Sequence, residues 1–331
     1  MSPETLQEIL QHVQQPSRYL GNEVHSVRKT EGRIRLHVAL AFPDLYEIGT
    51  SHFGLQILYH ILNRREDIAA ERVFTPAPDM EYMLRSRSVR LCSLESRTAL
   101  NRFDLIGFSL LYELDYTNVL TMLDLGGVPF LSRERKTGDP LVIAGGPCTC
   151  NPEPMADFFD AMVIGDGERV LLDMAVEMVA WKERADRRRS DLLEAWAKIE
   201  GVYIPSFFVP SYDSRGRQIL KPRRPDHPRV RRATVVDLDT VPFPVCPVVP
   251  FGRPIHDRLR LEVARGCTRG CRFCQAGMIY RPVRERSPEK LLEIARDSLD
   301  ATGYEDLSLL SLSTGDYCAI DYLMARLIRR G

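Results

Sequence analysis

The sequence carries no excess of charge, since 45 Lys and Arg offset 45 Asp and Glu in 331 residues. No global field therefore draws the chain to nucleic acid or to a membrane surface. No apolar run approaches the roughly 20 residues of a membrane span. Residues Met1–Gln15 are polar and amphipathic, without the apolar stretch of a signal peptide. Eight cysteines in this length do not make a disulfide framework. The length itself predicts two domains or slightly more, with ample core.

What the chain does have is one concentrated cysteine stretch, Glu262-Val-Ala-Arg-Gly-Cys267-Thr-Arg-Gly-Cys271-Arg-Phe-Cys274. Leu259, Leu261 and Val263 alternate with polar residues just before it and predict a strand. The cysteine loop thus leaves the C-terminal end of a strand, and Gly266 and Gly270 let it fold tightly enough for three thiolates to converge. A structural zinc site wants four N/S ligands, usually as two separated pairs. Here there are three thiolates and no adjacent pair. Cys318 lies far downstream and His256 eleven residues upstream. A thiolate-loving iron–sulfur cubane normally takes four cysteines, so three leave one iron open for chemistry.

Cys-x3-Cys-x-Phe-Cys after a strand resembles the signature of the radical S-adenosylmethionine (SAM) superfamily. The resemblance implies that Cys267, Cys271 and Cys274 hold a [4Fe-4S] cluster, with SAM on the open iron. One electron then cleaves the sulfonium to a 5′-deoxyadenosyl radical. It further implies that Phe273 faces the adenine. A second strand over Leu307–Leu312 exits into Ser313-Thr-Gly-Asp316, where the superfamily often places a Gly-Gly-Glu segment. By position Ser313, Gly315 and Asp316 become expected SAM contacts, although the residues match poorly. An electron donor such as flavodoxin or ferredoxin is the implied partner. A low-potential cluster implies a reducing, cytoplasmic setting.

Upstream, strands and helices alternate. Ile34 to Leu40, Phe103 to Leu110, Leu141 to Ala144 and Ala161 to Ile164 read as strands, the later ones apolar enough to be buried on both faces. Glycines at the strand ends argue an α/β fold with a doubly wound parallel sheet, whose ligands sit beyond the strands' C-terminal ends. The loops there carry a second resemblance, in order, to cobalamin-binding domains. It consists of Asp44-x-Tyr46-x-x-Gly49, Ser109-x-Leu111, Gly145-Gly146 and Gly165-Asp-Gly167-Glu168. These residues become the expected cobalamin-like site, and cobalamin a candidate further cofactor. Tyr46 stands where the family's cobalt-ligating histidine would be, so coordination by the protein is not expected from it. His52 also lies within reach of such a ligand.

Residues 1–20 read as a helical lead-in, 21–185 as the cobalamin-binding-like domain and 186–250 as a charged, Pro-rich connector with short strands. Six basic residues between Lys221 and Arg232 make an RNA contact one reading of that connector and a solvated linker the other. Residues 251–331 read as the start of a partial (β/α) radical SAM barrel. Only 64 residues follow Cys267, room for two β–α units where a full barrel takes about 250 residues. The expectation is a truncated chain with an incomplete catalytic domain and an exposed strand edge. The set of motifs resembles radical SAM proteins with an N-terminal B12-binding-like domain, often fused to a domain of unknown function. Three functions stay open. They are radical SAM chemistry with methyl transfer through cobalamin, an RNA-modifying methylthiotransferase with a second cluster from Cys92, Cys148 and Cys150, and a fragment that binds cofactors without turnover. The substrate and any general base are not readable.

Overall fold

A computed structural model describes residues 1–252 and 254–328. After the N-terminal helix α1 (Pro3–Leu10), six strands form one sheet. In chain order the elements are β1 (Leu36–Phe42), α2 (Tyr46–Thr50), α3 (Phe53–Asn63), β2 (Ile68–Phe74), α4 (Pro78–Ser86), β3 (Leu105–Ser109), α5 (Tyr116–Gly126), β4 (Leu141–Gly145), β5 (Ala161–Val163), α6 (Gly167–Lys182), α7 (Arg189–Trp196) and β6 (Val202–Tyr203). The sheet order is β2-β1-β3-β4-β5-β6, parallel except for the last pair. β1 is apolar at nearly every position and buried on both faces, as a central parallel strand must be. Strand order reverses between β1 and β3, which places the switch point of this doubly wound sheet there.

Each face of the sheet has its own core. One packs Tyr59, Leu62, Met174, Trp181 and Trp196 of α3, α6 and α7. The other packs Ile9, Leu84, Met122 and Leu123 of α1, α4 and α5. The 186–250 stretch is therefore more than a connector. Trp196 is fully buried, and β6 extends the main sheet by pairing with β5. β2, which the sequence pattern did not reveal, is an edge strand carrying Glu71 and Arg72 in the middle of its apolar run. Both charges are buried and satisfied. Arg72 pairs with Glu95 at 2.6 Å and Glu23 at 2.9 Å, while Glu71 meets His37 at 2.7 Å.

An exposed hairpin of β7 (Phe208–Tyr212) and β8 (Gln218–Pro222) follows. The second unit then consists of β9 (Leu259–Glu262), β10 (Ala264–Arg265), α8 (Ala276–Ile279), β11 (Arg284–Glu285), α9 (Pro288–Thr302), β12 (Leu307–Leu310) and α10 (Ile320–Ile328). β9 and β12 pair in parallel around α9. Ser287 caps α9 by accepting from the Lys290 amide at 3.3 Å, Pro288 opens it, and Gly303 closes it in a left-handed conformation. Helix α3 serves both units. Leu55, Tyr59 and Leu62 face the large sheet, while Phe53, Ile57 and Ile61 join a third core with Leu261, Val263, Leu291 and Phe243. Among the described residues, no helix is long and apolar enough to cross a membrane.

Candidate functional site

The C-terminal ends of β1, β3, β4 and β5 open onto a cleft of about 480 Å³. One side is built from Ser109 and Leu111 after β3, Gly145 and Gly146 after β4, and Gly165 to Glu168 after β5. The other side is built from Arg260 and Glu262 of β9, Arg265 of β10 and the β12 exit at Ser311 and Leu312. Both parallel sheets thus contribute their strand ends to one cavity. A Cβ on Gly145 would find nothing nearer than Val163 at 4.0 Å, and one on Gly167 nothing nearer than Leu58 at 3.6 Å. Packing does not demand glycine at either position, and added side chains there would take up cleft space instead.

An ion network joins the two sides. Asp166 precedes α6 and accepts from the Val235 amide at 2.8 Å. Its carboxylate pairs with Arg284 and meets Arg265 at 3.3 Å. Arg265 also reaches Glu168 at 2.7 Å and holds Glu262 through a two-pronged contact at 2.9 and 3.1 Å. Burial would push the Asp166 carboxyl up, but Arg265, the Val235 amide and Arg284 together hold it below the ordinary carboxylate range. Arg265 lies two residues before Cys267, so the loop after β5 is tied directly to the base of the cysteine loop.

Cys267, Cys271 and Cys274 are free thiols on an exposed to half-buried loop. Gly266 turns that loop with φ of 92°, where a side chain would strike the carbonyls of Tyr280 and Pro282. The Arg269 amide donates to the Cys267 sulfur at 3.4 Å. Three accessible soft donors on one turn suit a thiolate-bound iron cluster. Their sulfurs are not gathered, however; among the described residues no three His, Cys, Asp or Glu side chains group as around a metal ion. Phe273 is 92% exposed and lies outside the cleft lining. Asp316 pairs with Arg269 and accepts from Ser313 at 2.7 Å, which docks the β12 exit loop on the cysteine loop. An added side chain on the neighbouring Gly315 would meet open space.

Not every expected cobalamin contact reaches the cleft. Ser109, Leu111, Gly145, Gly146, Gly165, Gly167 and Glu168 line it; Asp44, Tyr46 and Gly49 do not. Tyr46 is 3% exposed and turned into the core, donating to Glu23 at 3.0 Å and accepting from the Phe251 amide at 3.0 Å. Asp44 spends Oδ1 on the Leu45 amide, and Gly49 lies against Phe74 too closely for any side chain. Residues just beyond Gly49 do reach the cleft, Ser51, His52 and Phe53 among them, and His52 is the titratable one. Its Nδ1 accepts from the Leu55 amide at 3.1 Å, which leaves the proton of the neutral ring on Nε2. Burial and the nearby Arg260 hold its pKa down to about 4.

Of the thiols weighed for a second cluster, Cys148 and Cys150 share the turn after β4. Cys92 packs under the N-terminus, whereas the Cys148 amide bonds to the Leu110 carbonyl beyond β3. Sequence reasoning had no signal for Asp166 beyond its place in a Gly-x-Gly-Glu loop, and it passed over Arg265 and Arg260.

Residues 54–205 match the family described as radical SAM proteins, N-terminal. The uncharacterized protein MJ0966 of Methanocaldococcus jannaschii is 24% identical over 283 residues, covering 85% of this chain and 50% of that protein. Two structures of the radical SAM methyltransferase TsrM from Kitasatospora setae share the fold at 15% identity, over 89% of this chain and 51% of TsrM. The one with tryptophan and a SAM analogue bound gives a TM-score of 0.51, and the one with cobalamin and a [4Fe-4S] cluster gives 0.52. The chain spans about half the length of these relatives.

Proposed function

We propose that this chain, whose residues 54–205 match the radical SAM N-terminal family and whose fold is shared with TsrM, forms the cofactor-binding part of a radical SAM enzyme with a cobalamin-binding-like domain. In this reading Cys267, Cys271 and Cys274 hold a [4Fe-4S] cluster, SAM sits against the β12 exit loop, and cobalamin lies in the cleft. When bound, the cluster supplies the electron that cleaves SAM, and cobalamin supplies a carrier for a methyl group. The enzyme class is the methyltransferase-like one, with the acceptor left unnamed.

The observation that carries the reading is the shared cleft, lined by seven of the expected cobalamin contacts on one side and by β9 and β10, which lead into the cysteine loop, on the other. Arg265 supports it from within, since its contacts to Glu168 and Glu262 hold the glycine-bearing loop against the strand. Gly145 and Gly167 keep the wall open for a large flat ligand. Asp316 and Ser313 hold the β12 loop against the cysteine turn through Arg269. Tyr46 takes no part, and His52 Nδ1 is committed to its helix cap, so neither residue of that region would ligate cobalt. We place the boundary of the cobalamin-like unit after β6, with the barrel unit opening near Phe251.

The test is anaerobic reconstitution of this chain with iron, sulfide and hydroxocobalamin, followed by desalting, metal analysis and a visible spectrum. About four irons with stoichiometric cobalt and base-off bands are expected. Iron retained without cobalt would overturn the methyl-transfer reading while leaving radical SAM chemistry standing.

A further inference from the structure

Cleft-lining charges are matched with one exception. Asp166, Glu168 and Glu262 are all engaged by Arg265, with Arg284 and Arg286 behind it. Arg260 has no such partner. It alternates with Leu259 and Leu261 along β9; both leucines are buried, Leu261 in the third core, while Arg260 joins Glu262 in lining the cavity. The residue is only 9% exposed. Among the described residues its buried Nε has no hydrogen-bond partner, and no carboxylate lies within ion-pair distance. The guanidinium sits 5.9 Å from the Phe53 ring centroid, a cation–π contact. Burial lowers its pKa to about 10, and Tyr304 pulls it back up, so it stays cationic at neutral pH.

A buried, unpaired guanidinium is costly to a protein that gains nothing from it. We propose that Arg260 is the docking point for an oxyanion, a carboxylate or a phosphate group carried by the molecule that fills this cleft. The guanidinium fork matches either group through paired N–H donors. Ser51 and His256 line the same cavity, adding a hydroxyl and a ring to a pocket that holds no competing free acid. The inference concerns an anion alone and does not require the cluster or cobalamin to be present.

The experiment uses the chain without added iron or cobalamin. Thermal unfolding is followed against acetate and against inorganic phosphate, at constant ionic strength with chloride as the reference salt. Wild type should gain stability saturably with at least one anion. Arg260→Met should need a concentration at least about tenfold higher for the same gain, as expected for loss of a charge-assisted bond. Without anion, Arg260→Met should melt no lower than wild type, because the substitution removes an unpaired buried charge. A structural arginine would behave oppositely, and a lower melting temperature in Arg260→Met would overturn the proposal. An equal anion response in both proteins would overturn it as well. Tighter acetate points to a carboxylate on the occupant, and tighter phosphate to a phosphoryl group; either supports the assignment.

Discussion

Replacing Asp166 with asparagine tests whether the ion network is what fastens the two sides of the cleft. The Asp166 and Arg284 side chains are each 4% exposed, so the pair lies in a low-dielectric interior. The asparagine would keep an oxygen for the Val235 amide but remove the charge facing Arg284 and Arg265. Stripping one partner from a buried pair costs about 3–5 kcal/mol, because the other charge stays behind. Arg284 would be left with the carbonyls of Pro282, Val235 and Tyr280. We expect D166N to lose about 3 kcal/mol or more in denaturant unfolding at pH 7. D166N/R284M should recover at least about 2 kcal/mol of that loss, since the stranded cation is gone. The pH dependence gives a second check. The Asp166 carboxyl is depressed in the folded protein, so its contribution is complete above its unfolded value of about 3.9 and lost as pH falls through the lower folded value. The gap between wild type and D166N should be flat from neutral pH down to about 5 and close below about 4. A D166N loss under about 0.5 kcal/mol, typical of a surface change, would refute the argument.

Three shorter tests follow from the site. Tyr46→Phe removes a donor to Glu23 and an acceptor for Phe251; it should cost about 1–3 kcal/mol while cobalt retention after reconstitution stays at the wild-type level. Gly145→Val should leave the melting temperature nearly unchanged but abolish cobalt retention, because its side chain would stand in the cleft; unchanged cobalt would place the ligand elsewhere. Cys271→Ala should lose the iron chromophore with cobalt binding preserved, and full iron retention would remove that cysteine from the cluster.

Elements with one dominant periodicity were legible in the sequence. β1, β3, β4 and α9 follow from apolar runs, end glycines and the Ser287-Pro288 start. β2 was not, because Glu71 and Arg72 interrupt its pattern, and their partners Glu23, His37 and Glu95 come from distant segments. The same limit governs the site. Motif order set the Gly145-Gly146 and Gly165–Glu168 loops at the ends of β4 and β5, but motif order cannot say which way a side chain turns. Tyr46 sits at the start of α2, and its ring goes inward toward Phe74 and Glu23. For Arg260 and Glu262 a signal existed: charges alternating with leucines on a strand that proves fully buried mark a face lining a polar cavity. Asp166 had only its place in the Gly-x-Gly-Glu loop as a signal, since its arginines, Arg232, Arg265 and Arg284, lie far onward in the chain.

Helix α3 has a consequence for how ligands enter. With Phe53, Ile57 and Ile61 buried against the second unit, prying the two units apart would expose side chains worth about 1.5–3 kcal/mol each. Such an opening would be populated on the order of once in 10³ molecules or more rarely. The glycine loops and the base of the cysteine turn are then held in place by α3 packing and by the Asp166–Arg265 contact, not by the proline-rich stretch of chain between the units. Ligands would then reach the cleft, whose lining includes Ser311, Leu312 and Tyr280, from its open side and not through a parting of the two units.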